Sequence, residues 1–298
     1  LWVSNDRHYY VDEGQEQLFR LAPNPTLYGP QDGWQPVRLW GMGIAARDLS
    51  GDGRPEVFIT SIADQKLLSI DGDGTAPHYG EAGFKAGTTA HRPYLGDDGR
   101  PSTGWHAAFG DVNNDGRDDL FIAKGNVDQM PDNAMLDPDN LLMQQEDGSF
   151  IERGEVAGIA STARGRGAAL VDLNADGRLD IVVVNRRAPL LIHQNTTRDA
   201  GNWLKLQLTD QGPNTGAVGA VIELRSANTR QRREITVGGG HAGGDAGFHH
   251  FGLGTDERAT YRITWPDGTT EPWRAAASNA HLVVARTADG VTVTPVAP

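Results

Sequence analysis

The 298-residue sequence has no cysteine, which excludes disulfide staples and thiolate metal sites. It holds no run of 18 or more apolar residues, so no segment reads as a bilayer-spanning helix. Long helical patterns are almost absent. Basic residues are few: 27 Lys and Arg stand against 39 Asp and Glu, a formal net charge of −12. A nucleic-acid backbone or an anionic membrane needs a basic face, so neither is expected as a partner. No signal peptide is visible. The chain opens at Leu1, in what reads as the middle of a repeat. The expectation is a processed or truncated product whose N-terminal part, with any export signal, is missing.

Glycine and proline are plentiful, with 38 and 16 residues scattered between short Val, Ile and Leu runs. That is the composition of turns joining strands. One stretch organises the chain: Asp172-Leu-Asn-Ala-Asp-Gly-Arg-Leu-Asp180, followed by the apolar run Ile181-Val-Val-Val-Asn185. Two further copies lie upstream. Asp111-Val-Asn-Asn-Asp-Gly-Arg-Asp-Asp119 precedes Leu120-Phe-Ile-Ala, and Asp48-Leu-Ser-Gly-Asp-Gly-Arg-Pro-Glu56 precedes Val57-Phe-Ile-Thr. From Asp48 to Asp111 is 63 residues and from Asp111 to Asp172 is 61. A fixed period of that size predicts stacked or radially repeated units.

Each unit reads as about four short strands. In the first these are 43–48, 57–62, 66–70 and a fourth within a long connection at 75–104. The second runs through 105–111, 120–124, a polar insert at 125–140, 141–145 and 150–153. The third runs through 166–172, 181–185 and 190–194. Residues 1–6 and 17–21 read as part of an earlier unit, and 22–36 as a loop. Four strands per roughly 60 residues fit a propeller blade. After Asn195 the acidic loops stop. Strands at 203–208, 220–224, 233–237, 261–265 and 282–286 predict a second all-β unit, a sandwich packed on the last blade. The expected division is residues 1–198 and 199–298, and the expected class is all-β.

The loops place oxygen side chains at positions 1, 3, 5 and 9, with glycine at position 6. Hard oxygens at alternate positions suit Ca²⁺, and glycine permits the tight turn. The candidate ligands are Asp48, Ser50, Asp52 and Glu56; Asp111, Asn113, Asp115 and Asp119; and Asp172, Asn174, Asp176 and Asp180. The backbone carbonyl at position 7, at Arg54, Arg117 and Arg178, completes each set. Up to three calcium ions are expected, structural rather than catalytic. Zinc lacks its preferred Cys and His here. The plain alternative is a set of Asx-type turns with solvated carboxylates. The first loop, with Ser50 and Glu56, is expected to be the weakest site.

These loops resemble the FG-GAP (VCBS-type) repeat, in which a small-residue strand meets Asp-x-Asn-x-Asp-Gly-x-x-Asp and then an apolar strand. Phe109-Gly110-Asp111 and the 172–180 segment carry that resemblance. It implies a β-propeller with Ca²⁺ in the loops, here a partial propeller followed by a sandwich-like domain. Gly216-Ala-Val-Gly-Ala-Val-Ile-Glu-Leu224, Gly238-Gly-Gly240, His250-Phe-Gly-Leu-Gly254 and Trp265-Pro-Asp-Gly268 are similar to the ASPIC/UnbV domain. The pair resembles the cartilage acidic protein family and its bacterial relatives, apart from Gly240-His-Ala-Gly-Gly244, where relatives carry an aromatic residue and a serine. The resemblance implies an exported, extracellular or periplasmic, calcium-binding protein with an adhesive or interaction role. Its partner would be another protein or a glycan, met through the inserts at 75–104 and 125–140.

An enzyme with a pocket on the propeller axis or at the domain interface is the rival reading, since propellers host many chemistries. Acids facing a central channel would favour it. A third reading is an accessory subunit of a larger assembly. Among lesser candidates, His241, His249 and His250 lie near Asp245 in a glycine-rich stretch. Alternation would send His249 and His250 to opposite faces, so a structured turn is the simpler account. Gly238–Gly244 lacks the lysine and helix of a phosphate loop. Asn195-Thr-Thr197 is a glycosylation sequon. Trp34, Trp40 and Trp105 could stack on sugars, but blade packing is their commoner use.

Overall fold

The computed structural model describes residues 1–6, 14–88, 99–244 and 247–296. Part of the expected insert at 75–104, and Asp245 of the histidine group, lie outside the described residues. The protein is all-β, with single turns of helix at Pro30–Asp32 and Gly83–Ala86.

Among the described residues, four antiparallel sheets follow one another ahead of the C-terminal unit. The first is β1 (Trp2–Val3), β2 (Gln17–Arg20) and β3 (Thr26–Leu27). The second is β4 (Ile44–Arg47), β5 (Glu56–Ile59), β6 (Lys66–Ile70) and β7 (Tyr79–Glu81). The third is β8 (Gly104–Gly110), β9 (Asp119–Lys124), β10 (Asn140–Gln144) and β11 (Phe150–Glu152). The fourth is β12 (Gly165–Val171), β13 (Asp180–Asn185) and β14 (Leu191–His193). β4, β8 and β12 lie side by side, so these sheets fan around a common inner edge as propeller blades do.

Period-two alternation builds the packing between blades. Val57 and Ile59 face back to Leu18, Trp34 and Leu39, while Phe58 faces forward to Phe109, Leu120 and Ile122. Phe121 and Ala123 in turn face Ile181 and Val183. β9 is therefore buried along its whole length, which is why its middle, Leu120–Ala123, is a continuous apolar run. The far face of the fourth sheet has no such neighbour among the described residues, and it leaves Val184 and Ile192 exposed.

The C-terminal residues form two more sheets. One has the order β18 (His249–Gly254), β15 (Asn202–Thr209), β21 (Ala280–Thr287), β22 (Gly290–Val296). The other has the order β17 (Arg230–Glu234), β16 (Val221–Arg225), β19 (Arg258–Thr264), β20 (Arg274–Ala277). Leu204, Leu206, Phe251 and Val284 of the first meet Ile222, Tyr261, Ile263 and Trp265 of the second in one core.

Several expected strands shift. The segment read as 22–36 loop contains β3. The third full unit has three strands, not four. The strand expected at 233–237 sits three residues earlier, because the residues of β17 that turn inward, Gln231 and Arg233, are polar.

Candidate functional site

The three acidic loops share one local geometry. In the second, Asp111 Oδ1 accepts the Asp115 N–H (3.0 Å) and Oδ2 accepts the Gly116 N–H (2.7 Å). Asp119 accepts N–H groups from Val112 (3.0 Å) and, across the sheet, Gln144 (2.9 Å). The third loop repeats this at Asp172 with Asp176 and Gly177, and at Asp180 with Leu173 and Asn195. In the first, Asp48 accepts from Gly53 and Glu56 from Leu49. Positions 1 and 9 thus clasp each loop. Position 6 is left-handed at Gly53, Gly116 and Gly177, with φ of 89°, 90° and 84°. Position 4 is left-handed too, at Gly51, Asn114 and Ala175.

Positions 5 and 7 pair differently from expectation. The arginine expected to offer only a backbone carbonyl turns its guanidinium onto the position 5 carboxylate, Arg117 on Asp115 at 2.6 Å. Arg54–Asp52 and Arg178–Asp176 do the same. Asn113 donates to Asp115 and Asn174 to Asp176, both at 2.9 Å. Among the described residues no three acidic or histidine side chains converge on one point.

Electrostatics separate the loops. Burial, and then Asp119, Asp115 and Asp118, push Asp111 well above the usual carboxylate range. Burial pushes Asp119 up to about 8. Burial also raises Asp48 and Glu56, and Asp48 Oδ1 is a buried atom without a hydrogen-bond partner. In these two loops burial, more than any neighbouring charge, disfavours the ionised carboxylates. The third differs: the Lys205 ammonium lies against Asp172 Oδ2, with the pair 5% and 2% exposed, and His281 stands 3.9 Å away.

All three loops face the C-terminal sheets. Asn114 Nδ2 donates to Gly177 O and Gly201 O (both 3.1 Å), and Gly254 N donates to Asn114 O (2.7 Å). His250 Nε2 meets Gly177 O at 3.1 Å, and burial lowers its pKa to about 4. Buried Arg233 reaches Asp118 at 2.9 Å, beside Arg47. A Cβ at Gly177 would overlap the Trp203 indole, and one at Gly116 would overlap Thr229. In the second and third loops the position 6 glycine is therefore required for contact as well as for backbone conformation, while at Gly53 only the conformation requires it. Sequence reasoning passed over Asn114, Lys205 and Arg233, and read His250 as part of a structured turn. A lysine in phase opposite to Leu204, Leu206 and Leu208 was the one available signal, and it reads as a solvent-facing residue.

The glycine-rich segment is a latch. Gly240 exchanges two backbone hydrogen bonds with Ile44 (2.7 and 3.1 Å), and His241 N donates to His106 Nδ1 (3.1 Å). His241 also packs edge-on against Trp105. His249 lies apart from it, near Arg47 and Arg233, with its pKa lowered to about 4 by burial first. Between this segment and β4, β8 and β12 lies a cleft of about 950 Å³. Asp48 and Asp172 reach its wall, as the enzyme reading asks, but Asp172 is already matched by Lys205.

The two inserts meet. Asp137 accepts from Ser102 Oγ and Thr103 N and pairs with buried Lys124 at 3.0 Å, and Ala134 N donates to Pro101 O. Of the three tryptophans, Trp34 is buried in the blade core and Trp105 lies under the Arg166 guanidinium.

A family model of the FG-GAP-like repeat matches residues 48–122 and 111–183, and one of ASPIC and UnbV matches 210–291. Over 110 residues the chain is 33% identical to cartilage acidic protein 1 of Xenopus tropicalis. Over 113 residues it is 31% identical to cartilage acidic protein 1 of Mus musculus. Each match takes 35% of this chain, and the chain spans about a sixth (17%) of the length of these relatives. A solved structure of a candidate cell adhesion protein from Bacteroides uniformis aligns over 89% of this chain and 92% of that one. Its identity is 11% and its TM-score 0.21, a likeness that carries no argument.

Proposed function

We propose that this chain, whose FG-GAP-like repeats run into an ASPIC and UnbV domain, is an exported, calcium-stabilised binding module. The units are taken as residues 1–198 and 199–298, and the setting as extracellular or periplasmic, in keeping with relatives named for cartilage. The observation that carries the proposal is the placement of three like-built acidic loops against the C-terminal sheets, two of them with buried carboxylate oxygens that no cation pairs among the described residues.

The donor chemistry of the first two loops fits a hard cation. Asp48 has an unpartnered buried oxygen, and Asp111 and Asp119 are buried together. Ca²⁺ would be held by Asp48, Ser50, Asp52 and Glu56, by Asp111, Asn113, Asp115 and Asp119, and by the carbonyls of Arg54 and Arg117. In the third loop Asp172, Asn174, Asp176, Asp180 and the Arg178 carbonyl offer the same set, but Lys205 already supplies a positive charge. Bound calcium would relieve carboxylate repulsion and stiffen the seat of the C-terminal sheets. Arg117 and Arg54 would then release Asp115 and Asp52. Partners meet the lobe formed by the joined inserts.

Chelator should lower the melting temperature, and Ca²⁺ should restore it more effectively than Mg²⁺. Identical melting curves with and without chelator would sink the calcium reading. Loss of partner binding on alanine substitution in 125–140 tests the module reading.

A further inference from the structure

At the end of the fourth sheet opposite its acidic loop, four arginines crowd together. β12 begins and β13 ends there, and the pairing of Gly165 with Asn185 brings Arg164 and Arg166 beside Arg186 and Arg187. Three of them point at one oxygen, Asp128 Oδ1: Arg186 at 2.8 Å, Arg164 at 3.2 Å and Arg187 at 3.7 Å. The fourth, Arg166, lies over the Trp105 ring with its Cζ 3.9 Å from the ring centre. It is held by carbonyls of Gly165, Asn126 and Val127, all at 2.8 Å. Arg186 is held in the same way by Val127 O at 2.7 Å. Backbone carbonyls pre-position Arg164, Arg166 and Arg186, so a ligand would have to order Arg187 alone.

Four guanidiniums against one carboxylate leave a local charge of about +3 in a protein of net charge −12. The crowding shows on Arg166, whose pKa falls to about 10 through burial first and then through Arg186 and Arg164. The patch is open: Arg187 is 73% exposed and Asp128 42%. Asp128 is thus a stand-in that an incoming anion can replace.

We propose that Arg164, Arg166, Arg186 and Arg187 form a binding site for the carboxylate or sulfate groups of an acidic glycan. Guanidinium forks match oxyanions in pairs of parallel hydrogen bonds. The neighbouring surface favours a sugar over an acidic peptide. It is the polar insert 125–140, rich in Asn and Asp, whose exposed apolar residues, Met130 and Leu136, include no aromatic anchor. The site rests on the reading of the chain as a binding module and names its ligand class.

The test uses the whole chain at low salt with three probes: a polyuronate, a sulfated polysaccharide and a neutral dextran, with poly-glutamate as the peptide arm. Binding of one or both acidic glycans, weakening as salt rises and absent for dextran, is the expected result. Arg164→Glu with Arg187→Glu should weaken it at least about tenfold, and Asp128→Asn should tighten it several-fold. Arg187 is 73%, Asp128 42% and Arg164 35% exposed, and an unchanged melting temperature of each variant checks that the fold survives. The inference is overturned if no acidic glycan binds, if the double variant binds as the parent does, or if poly-glutamate alone binds. Glycan binding that ignores the arginines would sink this site while leaving the binding-module reading intact.

Discussion

Lys205→Met is the most informative single change. The ammonium and the Asp172 carboxylate are almost completely enclosed, at 5% and 2% exposure. Breaking such a pair strands a charge that water cannot reach, at a cost of about 3–5 kcal/mol. Asp172→Asn strands the lysine instead and should cost a similar amount. The double variant removes both charges and should recover most of the loss, so the two single effects are far from additive. Calcium adds a second axis. Without the lysine, the third loop presents the same uncompensated acids as the second, and Ca²⁺ at about one hundred times its dissociation constant would return about 2.7 kcal/mol. Urea unfolding of the parent, both single variants and the double, each with calcium and with chelator, reads every term. The reasoning is refuted if Lys205→Met lies within about 1 kcal/mol of the parent, or if the two single effects simply add. A calcium response equal in parent and Lys205→Met would refute the idea that the lysine stands in for a metal ion.

Three further outcomes are expected. Gly240→Ala, at a φ of 61° and with its Cβ directed into the His106 ring, should unlatch the glycine-rich segment, seen as faster hydrogen exchange at the Ile44 amide. Asn114→Ala removes two hydrogen bonds and a residue suited to its left-handed φ of 59°, and should cost about 2–3 kcal/mol in urea titrations. Asp139 and Glu16 are raised to about 7, in each case by burial first. Both hold their protons more tightly when folded, so their stabilising contribution is complete below about pH 4 and is lost as pH rises through 7. Asp139→Asn should flatten part of that slope, and an unchanged slope would show that Asp139 is not its source.

The repeat was legible because it depends on local chemistry. Acids at fixed positions, a glycine that must be left-handed and a doubly buried strand all write themselves into consecutive residues. The second all-β unit was legible where its strands alternate, as at Leu204, Leu206 and Leu208. It was opaque at β17, whose inward residues Gln231 and Arg233 face the propeller loops and so look like surface. The same reason hid Lys205: its phase points away from its own core, and only docking against Asp172 buries it. The arginine cluster was invisible for a third reason. Its members lie about twenty residues apart and meet only through the pairing of β12 with β13.

The C-terminal sheets grip three successive repeats at once: Ile44 in the first, Asn114 and Asp118 in the second, Gly177 in the third. Such a grip acts as a ruler for how repeats can be gained or lost. Duplicating a repeat between Ile44 and Gly177 would carry one anchor a whole blade away, and the glycine latch and the Asn114 bridge could no longer both close. Lengthening or shortening ahead of Ile44 disturbs none of these anchors. Repeat number in a lineage of such chains, or in an engineered series, should therefore vary at the front of the array while the last three blades and their docked sheets travel together.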